Sequence, residues 1–248
     1  MALKRPGFPA DVAANATLVR GDQKFFNIAA DTAEMIRFLP APREDGLIFY
    51  PVTNHYGLVN QDKRNIALAC LHQHGGGDTE RDCLLCASAK ALSEGSPAEK
   101  EIAARLKPST RHYAQIVRAE VSNGQIKGWS RPMLLQLPKT AAQTILGIFK
   151  SQQTFGDDLA TDTDRGQAII IRREGTGFQT KYPAERSGTK VGLDEIRPTW
   201  GDEFMEDLYE EIGLNVADRG LQAAYLRISF PAVKWDEVFE SVGFVEAE

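Results

Sequence analysis

Apolar residues in this chain come mostly in short runs that alternate with polar ones, the period of strands half-buried in a sheet. Met35-Ile36-Arg37-Phe38-Leu39 reads as a strand ended by Pro40 and Pro42. Leu47 to Val52 reads as a second, with a turn at Glu44-Asp45-Gly46 between them. From Tyr113 to Val121, Tyr113, Gln115 and Val117 alternate with Ala114, Ile116 and Arg118. Asn123-Gly124 is the dipeptide of a tight hairpin, and the return strand passes Ile126 and Trp129 towards Leu137. Gln167 to Arg173 is an apolar strand that Gly175-Thr176-Gly177 turns into Phe178 to Tyr182. Leu221 to Phe230 reads as one more strand.

Helical signals are fewer. Ser96-Pro97-Ala98-Glu99 is a capping box with proline at the first helical position, and it predicts a helix to about Leu106. Lys139 to Lys150 puts Ile145, Ile148 and Phe149 on one face. Glu203 to Ile212 repeats Phe204, Leu208, Tyr209 and Ile212 at helical spacing before Gly213, and a last helix is expected near Lys234 to Val242. Strict alternation of strand and helix is absent. Short strands, Gly-rich turns and a few inserted helices predict an α+β, mainly β fold, an oligonucleotide-binding (OB) barrel with peripheral helices.

The cysteines change the picture. All three, Cys70, Cys83 and Cys86, fall within one short stretch, and an odd, clustered count argues against a disulfide framework. Cys83-Leu84-Leu85-Cys86 has the spacing with which two thiolates hold one metal ion. Zinc takes four tetrahedral ligands, so three thiolates need one more, and His55, His72 and His74 are all near in sequence. Three thiolates and an imidazole leave no open position for water, so one structural zinc is expected. A zinc subdomain over 54–107 is thereby inserted in an OB core of 31–200, with an N-terminal arm at 1–30 and a C-terminal extension at 201–248.

Charge divides along the chain. Residues 1–150 hold 19 Lys and Arg against 14 Asp and Glu, 151–200 hold 7 against 8, and 201–248 hold 3 against 12. A basic body thus carries an acidic extension, which is expected to compete with polyanions and to attract partner proteins, with 233–248 free enough to be trimmed without unfolding the rest. No apolar run approaches the roughly 20 residues of a membrane span, and Met1 to Ala14 lacks the apolar core of a signal peptide, so a cytosolic protein is expected.

Taken together and in order, Ile36-Arg37-Phe38-Leu39-Pro40, the Asn54-His55 pair, Cys70 and the Cys83-x2-Cys86 pair resemble the T-even phage helix-destabilising single-stranded-DNA-binding protein family. Thr110-Arg111-His112-Tyr113-Ala114-Gln115-Ile116 is similar to that family's T-S-Y-W-A-N-I strand, with His112 where the family has an aromatic. The likeness is patchy over residues 33–185, and the loops from His55 to Cys70 and from Cys70 to Cys83 are longer here. The resemblance implies a zinc-containing OB-fold, His55, Cys70, Cys83 and Cys86 as ligands, and single-stranded DNA as partner. It further implies roles in replication, recombination and repair, and residence in a bacterial host cytosol if the chain is phage-encoded.

Sequence-independent binding of a single strand needs cations that follow phosphates and flat side chains on which bases stack. The cations expected to do this are Arg37, Lys107, Arg111, Arg118, Arg131, Arg172 and Lys181, with Lys127 and Arg173 as further candidates. The platforms are Tyr50, Tyr56, His112, Tyr113, Trp129 and Tyr182, with Phe178 as a further candidate. No P-loop, G-x-S-x-G or H-E-x-x-H motif is present, and the acidic group Asp157, Asp158, Asp162 and Asp164 has no histidine nearby, so no enzyme is expected. The rival readings are a zinc-containing RNA-binding or protein-interaction module and a zinc-dependent nuclease.

Overall fold

A computed structural model describes residues 25–40, 48–74, 83–155, 165–176, 179–196, 215 and 217–245. In chain order its strands are β1 (Phe25–Phe26), β2 (Thr32–Phe38), β3 (Tyr50–Val59), β4 (Asn65–Ala69), β5 (Ser109–Ser122), β6 (Gln125–Trp129), β7 (Met133–Pro138), β8 (Gly166–Arg173) and β9 (Ala184–Val191). The helices are α1 (Leu71–His74), α2 (Leu84–Ser93), α3 (Pro97–Leu106), α4 (Lys139–Phe155), α5 (Leu193–Ile196), α6 (Arg219–Ser229) and α7 (Trp235–Ser241). The chain divides into two compact units, one formed by 22–52 and 110–212, the other by 1–21, 53–109 and 213–248. It passes from one to the other within β3 and again at the start of β5.

The first unit is built on a sheet in the order β1-β7-β5-β2-β8-β9, with β6 folded back on β5. Only β1 and β7 run parallel; the other pairs are antiparallel. The path has two ends and no pair joins β1 to β9 among the described residues. The fold is therefore mixed α/β with an open, mainly antiparallel sheet, and the closed barrel expected from the sequence is not formed by these pairings.

Alternation along β2, β5, β7 and β8 sends Ile36, Phe38, Ala114, Ile116, Leu135, Leu137, Ile169 and Ile171 to one face. There they bury against Ala141, Ala142, Ile145 and Phe149 of α4. Phe38 meets Phe49 and Phe149 edge-on, with ring centroids 5.6 and 5.3 Å apart. Each buried Ile, Leu or Phe there is worth roughly 1.5–3 kcal/mol relative to exposure. At the β5–β6 turn Asn123 and Gly124 both have positive φ, 51° and 73°, the two-residue turn that the Asn-Gly pair predicts.

The second unit packs β3, β4 and five helices around Leu58, Leu68, Leu84, Leu85, Leu92, Leu106, Leu226, Trp235 and Phe239. α3 starts with the capping box read from the sequence: Glu99 N–H donates to Ser96 Oγ at 3.4 Å, and Ser96 N–H donates to Glu99 Oε2 at 2.7 Å.

Three expectations are corrected. Leu221 to Phe230 is not a strand; it lies almost entirely in α6, whose N-cap Asp218 accepts the Leu221 N–H at 2.8 Å and whose buried Gln222 and Ala223 lie one turn before the buried Leu226. β8 pairs with β2 and β9, not with a strand at 178–182, whose described residues give one bridge, between Glu174 and Lys181. The described part of the segment expected to be free, 233–245, is not a loose tail either, since Trp235 and Phe239 are each 4% exposed in the core of the second unit. Of the arm expected at 1–30, residues 25–30 supply β1, paired with β7, and the buried Ile28, while 1–24 and the helix expected at 203–212 lie outside the described residues.

Candidate metal centre

His55 comes from β3, Cys70 directly follows β4, Cys83 caps α2, and Cys86 stands in the first turn of α2. A bulge between His55 and Leu58 bends β3 just past the histidine. Gly57 supplies it with a φ of +80°, a left-handed conformation in which a side chain would be strained. The Cys70 N–H donates to Thr53 O at 2.9 Å, tying the end of β4 to the strand that carries His55.

These pieces bring His55, Cys70, Cys83 and Cys86 together, their ligand atoms all within 4.8 Å of one another. Cys83 Sγ and Cys86 Sγ lie 3.4 and 3.5 Å from His55 Nε2, and Cys70 Sγ lies 3.5 Å from Cys86 Sγ. Zinc–sulfur bonds of about 2.3 Å and zinc–nitrogen bonds of about 2.0–2.1 Å at tetrahedral angles give edges of about 3.8 Å (S to S) and about 3.6 Å (S to N). The three separations above lie within about 0.3 Å of those edges and the whole set lies within 4.8 Å, so the four donors are compatible with one tetrahedral ion. His55, Cys70 and Cys83 are fully buried and Cys86 is partly exposed. All three cysteines are free thiols.

The imidazole is held from behind. Its Nδ1 lies 2.6 Å from Leu106 O, a pure acceptor, so Nδ1 carries the hydrogen and Nε2 faces the sulfurs. Burial acts to lower the pKa of His55, but hydrogen bonds with Cys70 and Cys83 outweigh it and raise it to about 9. Hydrogen bonds with Cys70 and Cys86 hold the Cys83 thiol far below its ordinary value, while those with Cys70 and Cys83 push Cys86 up. Zinc binds thiolates and neutral imidazole, so a metal cation displaces the protons of this set when it binds. His72 is half-buried in α1 and is not among the converging groups.

The residues expected to bind a nucleic acid fare unevenly. Arg37 is fully buried: its Nε donates to Val191 O at 3.3 Å and its Nη1 to Phe38 O, so its guanidinium is spent on backbone carbonyls instead of meeting solvent. Tyr50 is fully buried as well. Tyr113 is 6% exposed, its ring edge-on to Phe25 at 6.1 Å and its hydroxyl accepting from Gln136 Nε2 at 2.9 Å. None of the three offers a surface to a strand, because the residues packed over them cover it. Trp129 is half-buried against Leu39, Val117, Val191 and Ile196, and Tyr182 against the α4 core.

Arg118 stacks over Phe26 at 5.4 Å and lies 4.0 Å from Glu34. Burial, then the neighbouring Lys139, lowers the pKa of the half-buried His112, so its ring favours the neutral form. Arg131 and Lys181 are exposed and Arg111 is half-buried. Arg172 is exposed, with its Nη2 2.6 Å from Glu185 Oε1. By strand alternation Arg111 and Arg172 share the face of the sheet away from α4. Lys107 and Tyr56 belong to the other unit, and Phe178 and the Asp157–Asp164 group lie outside the described residues.

Sequence reasoning missed the supports of the centre. Leu106 O, Gln222 and Asn215 carry no local signal, because a carbonyl and two amides gain their roles only from what folds against them. Fold and site together define a mixed α/β protein with one group of a histidine and three cysteines at metal-binding distance. The chain matches no family model and no curated protein sequence. No helix among the described residues is long and apolar enough to cross a membrane.

Proposed function

We propose that the protein binds single-stranded DNA without regard to sequence and catalyses nothing, with one zinc ion as a structural brace. The observation that supports DNA binding best is a set of exposed cations on the sheet unit. Lys127, Arg131, Lys139, Lys150, Arg172, Lys181, Arg186 and Lys190 are exposed there, as a phosphate backbone requires. The sheet is then an opened variant of an oligonucleotide-binding fold, and the protein a relative in function of the helix-destabilising proteins it resembles.

Zinc is the metal that best suits three thiolates and an imidazole in a tetrahedron, and four protein donors leave no position for a reacting water. That favours a structural ion over a nuclease centre. Asp236, Glu237 and Glu240 are exposed on α7, and this acidic face is our candidate for partner proteins of replication or recombination in the cytosol.

The test is titration of labelled oligonucleotides of increasing length, with poly(U) and duplex DNA as competitors. The expected result is preference for the DNA single strand and an affinity falling with salt by about 0.7 log units per phosphate neutralised per log unit of salt. Equal binding of duplex and single strand, or affinity independent of salt, overturns the reading; preference for poly(U) replaces DNA with RNA.

A further inference from the structure

Cys83 is the N-cap of α2, but its side chain makes no capping hydrogen bond to the helix N–H groups. The first N–H groups of any helix lack intrahelical partners, and here they belong to the turn that carries two of the four metal donors. The Leu85 N–H, between Cys83 and Cys86, donates to Gln222 Oε1 at 3.3 Å, across 137 positions of sequence. Gln222 is fully buried on α6, and its Nε2 donates to Ala217 O at 2.9 Å, which fixes which way the amide points. Its Oε1 also stands 4.0 Å from Cys83 Sγ.

The other cysteine segment is held by the same stretch of chain. The Ala69 N–H, next to Cys70, donates to Asn215 O at 2.8 Å, and Asn215 Nδ2 donates to Ala67 O at 3.0 Å. Behind these polar ties Ala223, Leu226, Trp235 and Phe239 share one core with Cys70, Cys83, Leu84 and Leu85.

We infer that Asn215 and residues 217–222 are part of the metal centre, with Gln222 positioning the Cys83–Cys86 turn, so that metal occupancy and docking of the C-terminal helices stabilise each other. This rests on the reading that His55 and the three cysteines hold a metal. The physical basis is reciprocity: a segment that orders the ligands raises metal affinity, and the bound metal must then hold that segment by the same factor. Groups that orient metal ligands typically change affinity about 10–100-fold when removed.

Two measurements on the full chain test it. Competition for zinc with a chromophoric chelator should show affinity about 10–100-fold weaker in Gln222→Leu, the usual effect of losing such a support. Leu221→Ala, at an exposed position of the same helix, should leave it unchanged. Hydrogen exchange on the wild type, before and after zinc is stripped, should show the amides of α6 losing protection together with those of 83–93, while 110–118 keep theirs. Unchanged zinc affinity in Gln222→Leu, or unchanged protection of α6 after stripping, overturns the inference. If Gln222→Leu does not fold, the exchange experiment decides alone. A wild-type chain that takes up no zinc is a separate result, which removes the metal reading itself.

Discussion

His55 is specified from both sides, by a carbonyl at Nδ1 and by sulfurs at Nε2. Replacing it by alanine should abolish stoichiometric zinc in elemental analysis and lower the melting temperature, because binding of a structural metal is folding free energy. Tyr113 behaves differently from the stacking platform that its strand suggests. Tyr113→Phe should cost about 0.5–1.5 kcal/mol of stability for the hydrogen bond accepted from Gln136, while leaving affinity for single-stranded DNA unchanged in the same titration. Arg172 is restrained by Glu185 in an exposed pair, worth roughly 0.2–1 kcal/mol. Glu185→Gln should free the guanidinium for phosphate and tighten oligonucleotide binding by up to a few-fold at low salt. An unchanged Kd would exclude Arg172 from the binding face.

Among elements, α3 is readable in full because its signals are local: Ser96, Pro97 and Glu99 act on each other within one turn. Ser96→Ala should lower stability by about 1 kcal/mol in denaturant unfolding, the typical worth of such a cap. Glu99 accepts hydrogen bonds from Ser96 that hold its carboxyl below the ordinary 4.5. Its contribution is therefore complete above pH 4.5 and disappears as the pH falls through the lower, folded-state value. α6 reads as a strand because Leu221, Ala223, Tyr225 and Arg227 sit among apolar neighbours in a way that also fits alternation; its Asp218 cap and the core beneath it settle the helix. α7 shows the reverse. Its helical pattern is legible, but its burial is not. Trp235→Ala should cost about 3–5 kcal/mol, and trimming 233–248 should loosen the metal-centre unit, visible as a lower melting temperature.

At the scale of the molecule, the division of charge along the chain is not a division in space. The sheet unit, 22–52 and 110–212, holds 16 Lys and Arg against 20 Asp and Glu, net −4. The acids of 157–164 and 202–211, outside the described residues, reverse the sign of its basic described part. The metal-centre unit, 1–21, 53–109 and 213–248, holds 13 against 14, net −1. The acidic extension is split between them, with 201–212 in one and 213–248 in the other. The contrast between a basic body and an acidic tail therefore belongs to the chain as written, and folding distributes it.

By itself the sequence determined what depends on neighbours within a few positions. Those are the alternation of β2, β5 and β8, the Asn123-Gly124 turn, the capping box of α3, and the clustering of cysteines that predicts a metal. Spacing alone leaves three histidines open as the fourth ligand; the family likeness points to His55, and convergence of β3, β4 and α2 brings it to the sulfurs. Tertiary structure alone decided that Arg37 and Tyr113 are interior, that the sheet is open, and that Gln222 reaches Leu85 across 137 positions. The reason is physical. Turn geometry and caps are set by interactions whose loop-closure cost is small, whereas exposure of a strand residue depends on what packs over it from remote chain, and no local pattern encodes that partner.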